Sequence, residues 1–88
     1  MKHESHPEIV KRLKRANGHL ASVIAMIESG RTCIELAQQL HAVERAVTNA
    51  KRILIHDHID HCLNAGSGST EPITKAAVGE FRQLARYL

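Results

Sequence analysis

The sequence predicts an all-α fold with three helices, of which the central one is long. Apolar residues recur at helical spacing through two long segments, and no segment alternates with the period of a strand. The stretch 32–63 contains neither glycine nor proline, whereas 66–70 consists of glycine, serine and threonine. A chain of 88 residues has the length of one small domain. We therefore expect a single domain over 1–88, with helices at about 7–29, 32–64 and 71–87.

The first predicted helix has recognisable ends. Pro7 is tolerated in a first turn, and Ser5 and Glu8 have the spacing of a capping box. Gly30 is expected to follow the last turn in a left-handed conformation. Gly18 interrupts the pattern at a cost of about 1 kcal/mol relative to alanine, which predicts close packing or a kink there. The apolar positions recur at helical spacing: Ile9, Val10, Leu13, Leu20, Val23, Ile24 and Ile27.

The second predicted helix begins at a capping box formed by Thr32 and Glu35. Its apolar residues follow the spacing of a coiled-coil seam: Leu36, Leu40, Val43, Val47, Ala50 and Leu54. A helix of roughly 30 residues is about 45 Å long, too long for two short helices to cover, so we expect a second copy to pack against it. The third helix groups its apolar residues on one side: Ile73, Ala77, Phe81 and Leu84.

The composition excludes several classes of protein. Twelve Lys and Arg against nine Asp and Glu give a formal charge of +3, and the pI of about 9.2 favours an anionic partner. Aromatic residues make up only 2%, so the core of one chain is thin and oligomerisation is expected. No apolar run approaches the roughly 20 residues of a membrane span, and 1–8 has no signal-peptide core. The two cysteines therefore indicate reduced thiols in the cytoplasm.

Metal-binding side chains cluster near the end of the second predicted helix. His58 and Cys62 are four residues apart and share one helix face, as a metal-binding pair requires. Cys33 is 25 residues before His58, or about 38 Å along a continuous helix, so one chain cannot join the three. Two such helices packed antiparallel about 45–47 bring Cys33 to the His58 and Cys62 of the partner subunit, which gives two equivalent sites per dimer.

The donor set limits the choice of metal. Two thiolates and one imidazole suit Cu(I) or Zn(II), and a further nitrogen ligand extends the set to Ni(II). His3 or His6 could supply that nitrogen, the alternative being a free N-terminal tail. His61 lies off the stripe and is either solvated or a neighbour that supports the ligands. The alternative for the two cysteines is that both are unreactive core residues.

Basic residues form a second candidate site. Four cations within five residues have no acidic residue among them, and several copies would present a broad positive surface to double-stranded DNA. A solvated face is the alternative. No helix-turn-helix or aromatic platform is recognisable, so backbone contacts and duplex shape should dominate. The candidates are Lys11, Arg12, Lys14, Arg15, Arg45, Lys51 and Arg52.

Over residues 7–63 the sequence resembles the copper-sensitive operon repressor family. The likeness rests on LKRANGHL at 13–20 and on an ungapped Cys-x24-His-x3-Cys spacing that ends at Cys62. It implies a three-helix protomer, an antiparallel dimer, a homotetramer of two dimers, and a repressor that leaves its operator when an inducer binds. Cys33 matches the ligand from one protomer, and His58 and Cys62 match the pair from the other.

Variation within the family bears on the inducer. Cys62 resembles the copper members, because the common nickel/cobalt branch has histidine there. Copper members often have tyrosine where Thr32 stands, and they pair the histidine with a glutamate of the third helix, for which Glu80 is the candidate. Formaldehyde sensors carry proline where Lys2 stands, and persulfide sensors generally lack the equivalent of His58. The resemblance therefore implies a Cu(I)-responsive repressor, with Ni(II), Co(II) or persulfide as alternative inducers.

A different class of protein fits the same residues. A helical oligomer with a structural metal site, such as zinc, and no DNA target would also place thiols and imidazoles at subunit contacts. An enzyme is not expected, because no glycine-rich turn offers an oxyanion hole and a helical chain of this length leaves little room for a substrate pocket.

Overall fold

The computed structural model describes residues 5–67 and 75–88, and the side chains of 5–60 and 75–88. It confirms the all-α fold: α1 spans His6–Glu28, α2 spans Cys33–Ser67 and α3 spans Lys75–Ala85. α2 runs three residues past its predicted end, so the helix includes Gly66. The predicted linker from 68 onward and the expected first turn of the third helix, with Ile73, lie outside the described residues.

The turn between α1 and α2 closes as the glycine predicts. Gly30 has a φ of 83°, the left-handed region that glycine adopts without a Cβ clash. Its amide donates to the carbonyl of Ile27 at 3.2 Å, and the amide of Arg31 donates to the carbonyl of Met26 at 3.1 Å. These two hydrogen bonds form a Schellman motif, which satisfies the last carbonyls of α1 and turns the chain back toward α2.

The two predicted capping boxes have different outcomes. At α2 the amide of Glu35 donates to Thr32 Oγ1 at 3.3 Å, as predicted. At α1 the prediction is wrong, because Ser5 makes no side-chain capping hydrogen bond. Its φ of −79° and ψ of −14° are already helical, whereas a capping hydroxyl needs an extended backbone to reach back to the free amides.

This difference predicts unequal effects of two similar substitutions. Thr32→Ala is expected to lower the free energy of unfolding by about 1 kcal/mol, because the Glu35 amide loses its acceptor. Ser5→Ala is expected to change it by less than about 0.5 kcal/mol, since no capping bond is removed. Urea denaturation at one fixed protein concentration measures both. Equal losses for the two variants would contradict the assignment of the caps.

The core of one chain is the contact between α1 and α2. On α1 the buried residues are seven apart: Ile9, Ala16 and Val23. On α2 they are Val43 and Ala50, also seven apart. Ile55 is buried near the end of α2 against which α3 packs. A seven-residue interval is two helical turns, so each row forms a narrow stripe along the hairpin seam.

A second pair of apolar rows remains exposed and forms what we call the apolar face. Each member lies four residues after a position of the α1–α2 seam on its own helix, which is about 40° further around the helix axis. Because the two helices run antiparallel, this rotation displaces both rows to the same side of the hairpin. The apolar residues of α2 that were predicted to form one seam therefore form two rows, one packed against α1 and one exposed. The side chains of the apolar face are between 40% and 53% exposed: Leu13, Leu20, Ile27, Leu40, Val47 and Leu54.

No described residue packs closely at Gly18, where the sequence predicts close packing or a kink. A Cβ built on Gly18 would meet no other heavy atom within 4 Å, and α1 is helical throughout. The prediction of close packing at Gly18 is therefore wrong within this chain. None of the helices, as far as their residues are described, combines the length and apolar character needed to cross a membrane.

Candidate functional site

The candidate metal ligands lie at opposite ends of α2. Cys33 is the first residue of the helix and is exposed. His58 follows 25 residues later on the same unbroken helix, which separates the two by about 38 Å. No group of three or more His, Cys, Asp or Glu side chains within the described part of the chain could hold a metal ion. Cys62 lies in α2 one turn after His58, and its side chain is outside the described residues.

Cys33 continues the apolar face. It lies seven residues before Leu40, so the row Cys33, Leu40, Val47 and Leu54 repeats every two turns along α2. The apolar part of this row is symmetric about Val47, because Leu40 and Leu54 are each seven residues from it. Cys33 is fourteen residues before Val47, and the position fourteen residues after it is 61, between His58 and Cys62.

His58 is held by α3. Its Nε2 lies 2.9 Å from Glu80 Oε1, and the imidazole is 28% exposed while the carboxylate is 52% exposed. The carboxylate beside Nε2 holds this side of the ring against α3, which leaves Nδ1 as the nitrogen suited to a metal. Glu80 therefore lies where the sequence resemblance expected the partner of the histidine.

The remaining histidines near these ligands are placed differently. His6 is the first residue of α1 and is half-buried, so it belongs to the helix and not to a free tail. His3 lies outside the described residues, and so does the side chain of His61.

A groove with basic walls, here called the basic groove, runs between α1 and α2. Arg12 and His19 are each three residues after a seam position of α1, so they lie on the side of the hairpin opposite the apolar face. His19 Nε2 is 2.6 Å from Gln39 Oε1, which joins the two helices across this side. The groove is open and has a volume of about 220 Å³. Its lining consists of Arg12, Arg15, Ala16, His19, Ala46 and Asn49.

The structure brings some of the predicted basic residues together and leaves others apart. Arg12 and Arg15 share the groove. Arg12 also pairs with Glu8 at 3.4 Å, a carboxylate one turn before the basic run, but both are exposed and such a pair contributes little. The other candidates are exposed and have no ion pair within the described residues: Lys11, Lys14, Arg45, Lys51 and Arg52.

His19 and Asn49 were not selected as site residues from the sequence. The position of His19, seven residues after Arg12, was the available signal, since this interval places both on one helix face. Asn49 gave no such signal, because its place across the groove depends on how α2 pairs with α1.

A known protein family covers most of the chain. Residues 5–86 match the family described as metal-sensitive transcriptional repressors, and the chain belongs to this family. This confirms the resemblance found in the sequence. The members are repressors and not enzymes, which supports the expectation that this chain is not an enzyme.

Individual relatives include copper and nickel regulators. The chain is 39% identical over 56 residues to the copper-sensing transcriptional repressor CsoR of Mycobacterium ulcerans, covering 64% of this chain and 48% of the relative. It thus spans about half the length of the mycobacterial CsoR proteins it matches. It is 35% identical over 91 residues to CsoR of Bacillus subtilis, covering 98% and 90%. The structure of the nickel-responsive transcriptional regulator InrS matches with a TM-score of 0.83 and 27% identity, covering 100% and 98%.

Proposed function

We propose that this protein is a cytoplasmic Cu(I)-sensing repressor that holds operator DNA in its metal-free form and releases it when Cu(I) binds between two subunits. The observation that carries the proposal is the position of Cys33 at the end of the exposed, symmetric row of the apolar face. A second copy is the occupant that covers this face, and it completes the metal site in the same step.

The geometry of such a dimer follows from the row itself. If two α2 helices pack antiparallel with Val47 against Val47, Leu40 meets Leu54 of the partner subunit. Cys33 then lies opposite the turn that carries His58 and Cys62 of the partner subunit. Two equivalent sites result, each with two sulfur ligands and one nitrogen ligand. Two such dimers would form the homotetramer that the family resemblance implies.

Cu(I) is the inducer that the donor set favours. Thiolates are soft ligands that select Cu(I), and one imidazole completes a three-coordinate site. Relatives named as copper-sensing support this choice. Ni(II) is the second candidate, since the structurally similar InrS is nickel-responsive. Ni(II) prefers more nitrogen ligands, and His6 at the start of α1 or His3 before it would be their source.

Operator binding is assigned to the basic groove and the exposed cations around it. Two guanidinium groups, an imidazole and an amide line one groove whose floor contains two alanines. Such a surface suits the phosphates of a DNA backbone, which accept hydrogen bonds from all these groups. The groove lies opposite the apolar face, so dimerisation through that face leaves it open to DNA.

Anaerobic fluorescence anisotropy on DNA from the promoter region of the gene tests this function. The reduced apo protein is expected to bind, and one equivalent of Cu(I) per monomer is expected to release it. Release by Ni(II) alone would keep the repressor and change the inducer. Absence of DNA binding in every condition, combined with loss of helicity on chelation, would instead support a structural metal site.

Arg12→Gln/Arg15→Gln is expected to weaken apo binding to DNA and to flatten its salt dependence. Each phosphate that is no longer neutralised should reduce the slope of log K against log salt by about 0.9. Arg31→Gln is the matched control, because Arg31 is an exposed cation at the turn that pairs with Glu35 at 3.2 Å, away from the groove. An unchanged slope in the double variant would remove both arginines from the DNA interface.

Glu80→Ala is expected to uncouple metal binding from DNA release. The ligands remain, but the imidazole loses the carboxylate that orients it and connects it to α3. We expect Cu(I) to bind and the ratio of DNA affinities without and with metal to fall at least 5-fold. Glu44→Ala, which changes an exposed carboxylate of α2, is the control. Normal release by the Glu80 variant would show that coupling does not pass through this ion pair.

A further inference from the structure

The two sides of α3 carry different chemistry. On the inner side Glu80 contacts His58 of α2. Residues two positions apart on a helix lie about 200° apart around its axis, so Val78 and Arg82 lie on the outer side. Lys75, seven residues before Arg82, belongs to the same side. We call Lys75, Val78, Gly79 and Arg82 the outer face of α3; its two cationic side chains and Val78 are exposed.

The outer face carries positive charge that no ion pair among the described residues neutralises. Glu80 is the only acidic side chain of 75–88, and it is directed to His58. Neither Lys75 nor Arg82 forms an ion pair with any described residue. Arg86, four residues after Arg82, adds a third exposed cation beyond the end of the helix. The face therefore complements an anionic partner.

Gly79 is an independent indication of a ligand. It lies in the interior of α3, four residues after Lys75 and three before Arg82, although glycine is a poor helix former. A Cβ at this position would meet nothing within 4 Å, so packing among the described residues does not require glycine. The space at its missing side chain is part of an open notch of about 340 Å³, which Lys75, Val78 and Arg82 also line. Glycine at such a place allows a ligand to approach the helix backbone closely.

We propose that the outer face of α3 binds a backbone phosphate of the operator duplex, in addition to the phosphates bound by the basic groove. The inference rests on the proposed function. A protein partner is disfavoured because the face holds one apolar side chain, Val78, and no aromatic anchor. Glu80, which contacts the proposed metal ligand His58, lies on the other side of α3. Metal binding and phosphate binding would therefore both act on this helix of 11 residues.

Apo-protein titrations of operator DNA over a salt series test the charge contribution. Lys75→Gln/Arg82→Gln is expected to bind at least 10-fold more weakly than wild type at physiological salt. The slope of log K against log salt should fall by about 0.9 for each phosphate that the variant no longer neutralises. Arg31→Gln is the control, with an expected change below 2-fold. Wild-type affinity and slope in the double variant would overturn the inference.

Gly79→Ala tests the close approach. The substitution is expected to raise helix content and thermal stability while lowering DNA affinity at least 5-fold, opposite changes that a folding defect cannot produce. DNA affinity equal to or above wild type would contradict the inference. If wild type itself binds no DNA, the proposed function fails together with this inference. If Arg12→Gln/Arg15→Gln weakens binding and the α3 variants do not, only the inference fails.

Discussion

Cys33→Ser is expected to leave DNA binding intact and to abolish its loss on addition of Cu(I). Cys33 is exposed at the first turn of α2, so the substitution disturbs little packing. It removes the ligand that one subunit gives to the other, and with it half of the thiolates of each site. Allosteric coupling of this kind is typically worth about 1–3 kcal/mol, or roughly 5- to 150-fold in affinity. For the Cys33 variant we expect the ratio of DNA affinities without and with Cu(I) to fall to about one.

The comparison needs a substitution on the same helix that leaves the metal site alone. His41→Ala serves, because His41 is an exposed histidine between the two ends of α2. Anisotropy titrations with and without one equivalent of Cu(I) measure both variants. If the serine variant still releases DNA at wild-type Cu(I) concentrations, Cys33 is not a working ligand and the proposed site is wrong.

Val47→Glu is expected to separate the subunits. Val47 is 46% exposed at the centre of the apolar face, where antiparallel pairing places it against itself. The substitution removes two buried apolar side chains, each worth about 1.5 kcal/mol or more, and sets two carboxylates against each other. A loss of roughly 3 kcal/mol corresponds to at least a 100-fold increase in the dimer Kd. DNA binding and Cu(I) binding should weaken together, since both need the assembly.

Sedimentation velocity at micromolar concentration reports the assembly directly. Gln38→Glu is the matched control, because it adds the same charge to α2 at an exposed position. Gln38 is two residues after Leu36, which lies seven residues before the seam residue Val43, so Gln38 lies on the side of α2 away from the seam. It is expected to leave the molecular mass unchanged. A Val47 variant that sediments like wild type would show that the apolar face is not the dimer interface.

The sequence was sufficient to predict the three helices because their apolar periodicity is long, and Gly30 marks the break between α1 and α2. It was also sufficient to separate Cys33 from His58 by the length of a helix. It did not show that the apolar residues of α2 form two rows, one facing α1 and one exposed. Two rows that each repeat every seven residues together produce the same 4-3 spacing as a single seam. That division depends on which residues of α1 oppose α2.

Other features depended on conformation more than on residue type. Ser5 has the right identity for a cap, but its backbone angles are helical and its hydroxyl is not used. Asn49 joins the basic groove only because α2 places it across from Arg12 and Arg15. Glu80 was selected by resemblance, and the 2.9 Å distance to His58 depends on where α3 packs, which the sequence pattern does not specify.

Subunit complementation tests whether one metal site takes ligands from two subunits. Cys33→Ser and Cys62→Ser each destroy every site in a homodimer. A heterodimer of the two variants, purified through two different tags, retains one intact site. We expect it to bind one Cu(I) against a competing chelator, while neither homodimer binds any. A heterodimer that binds no more Cu(I) than the homodimers would contradict the shared site.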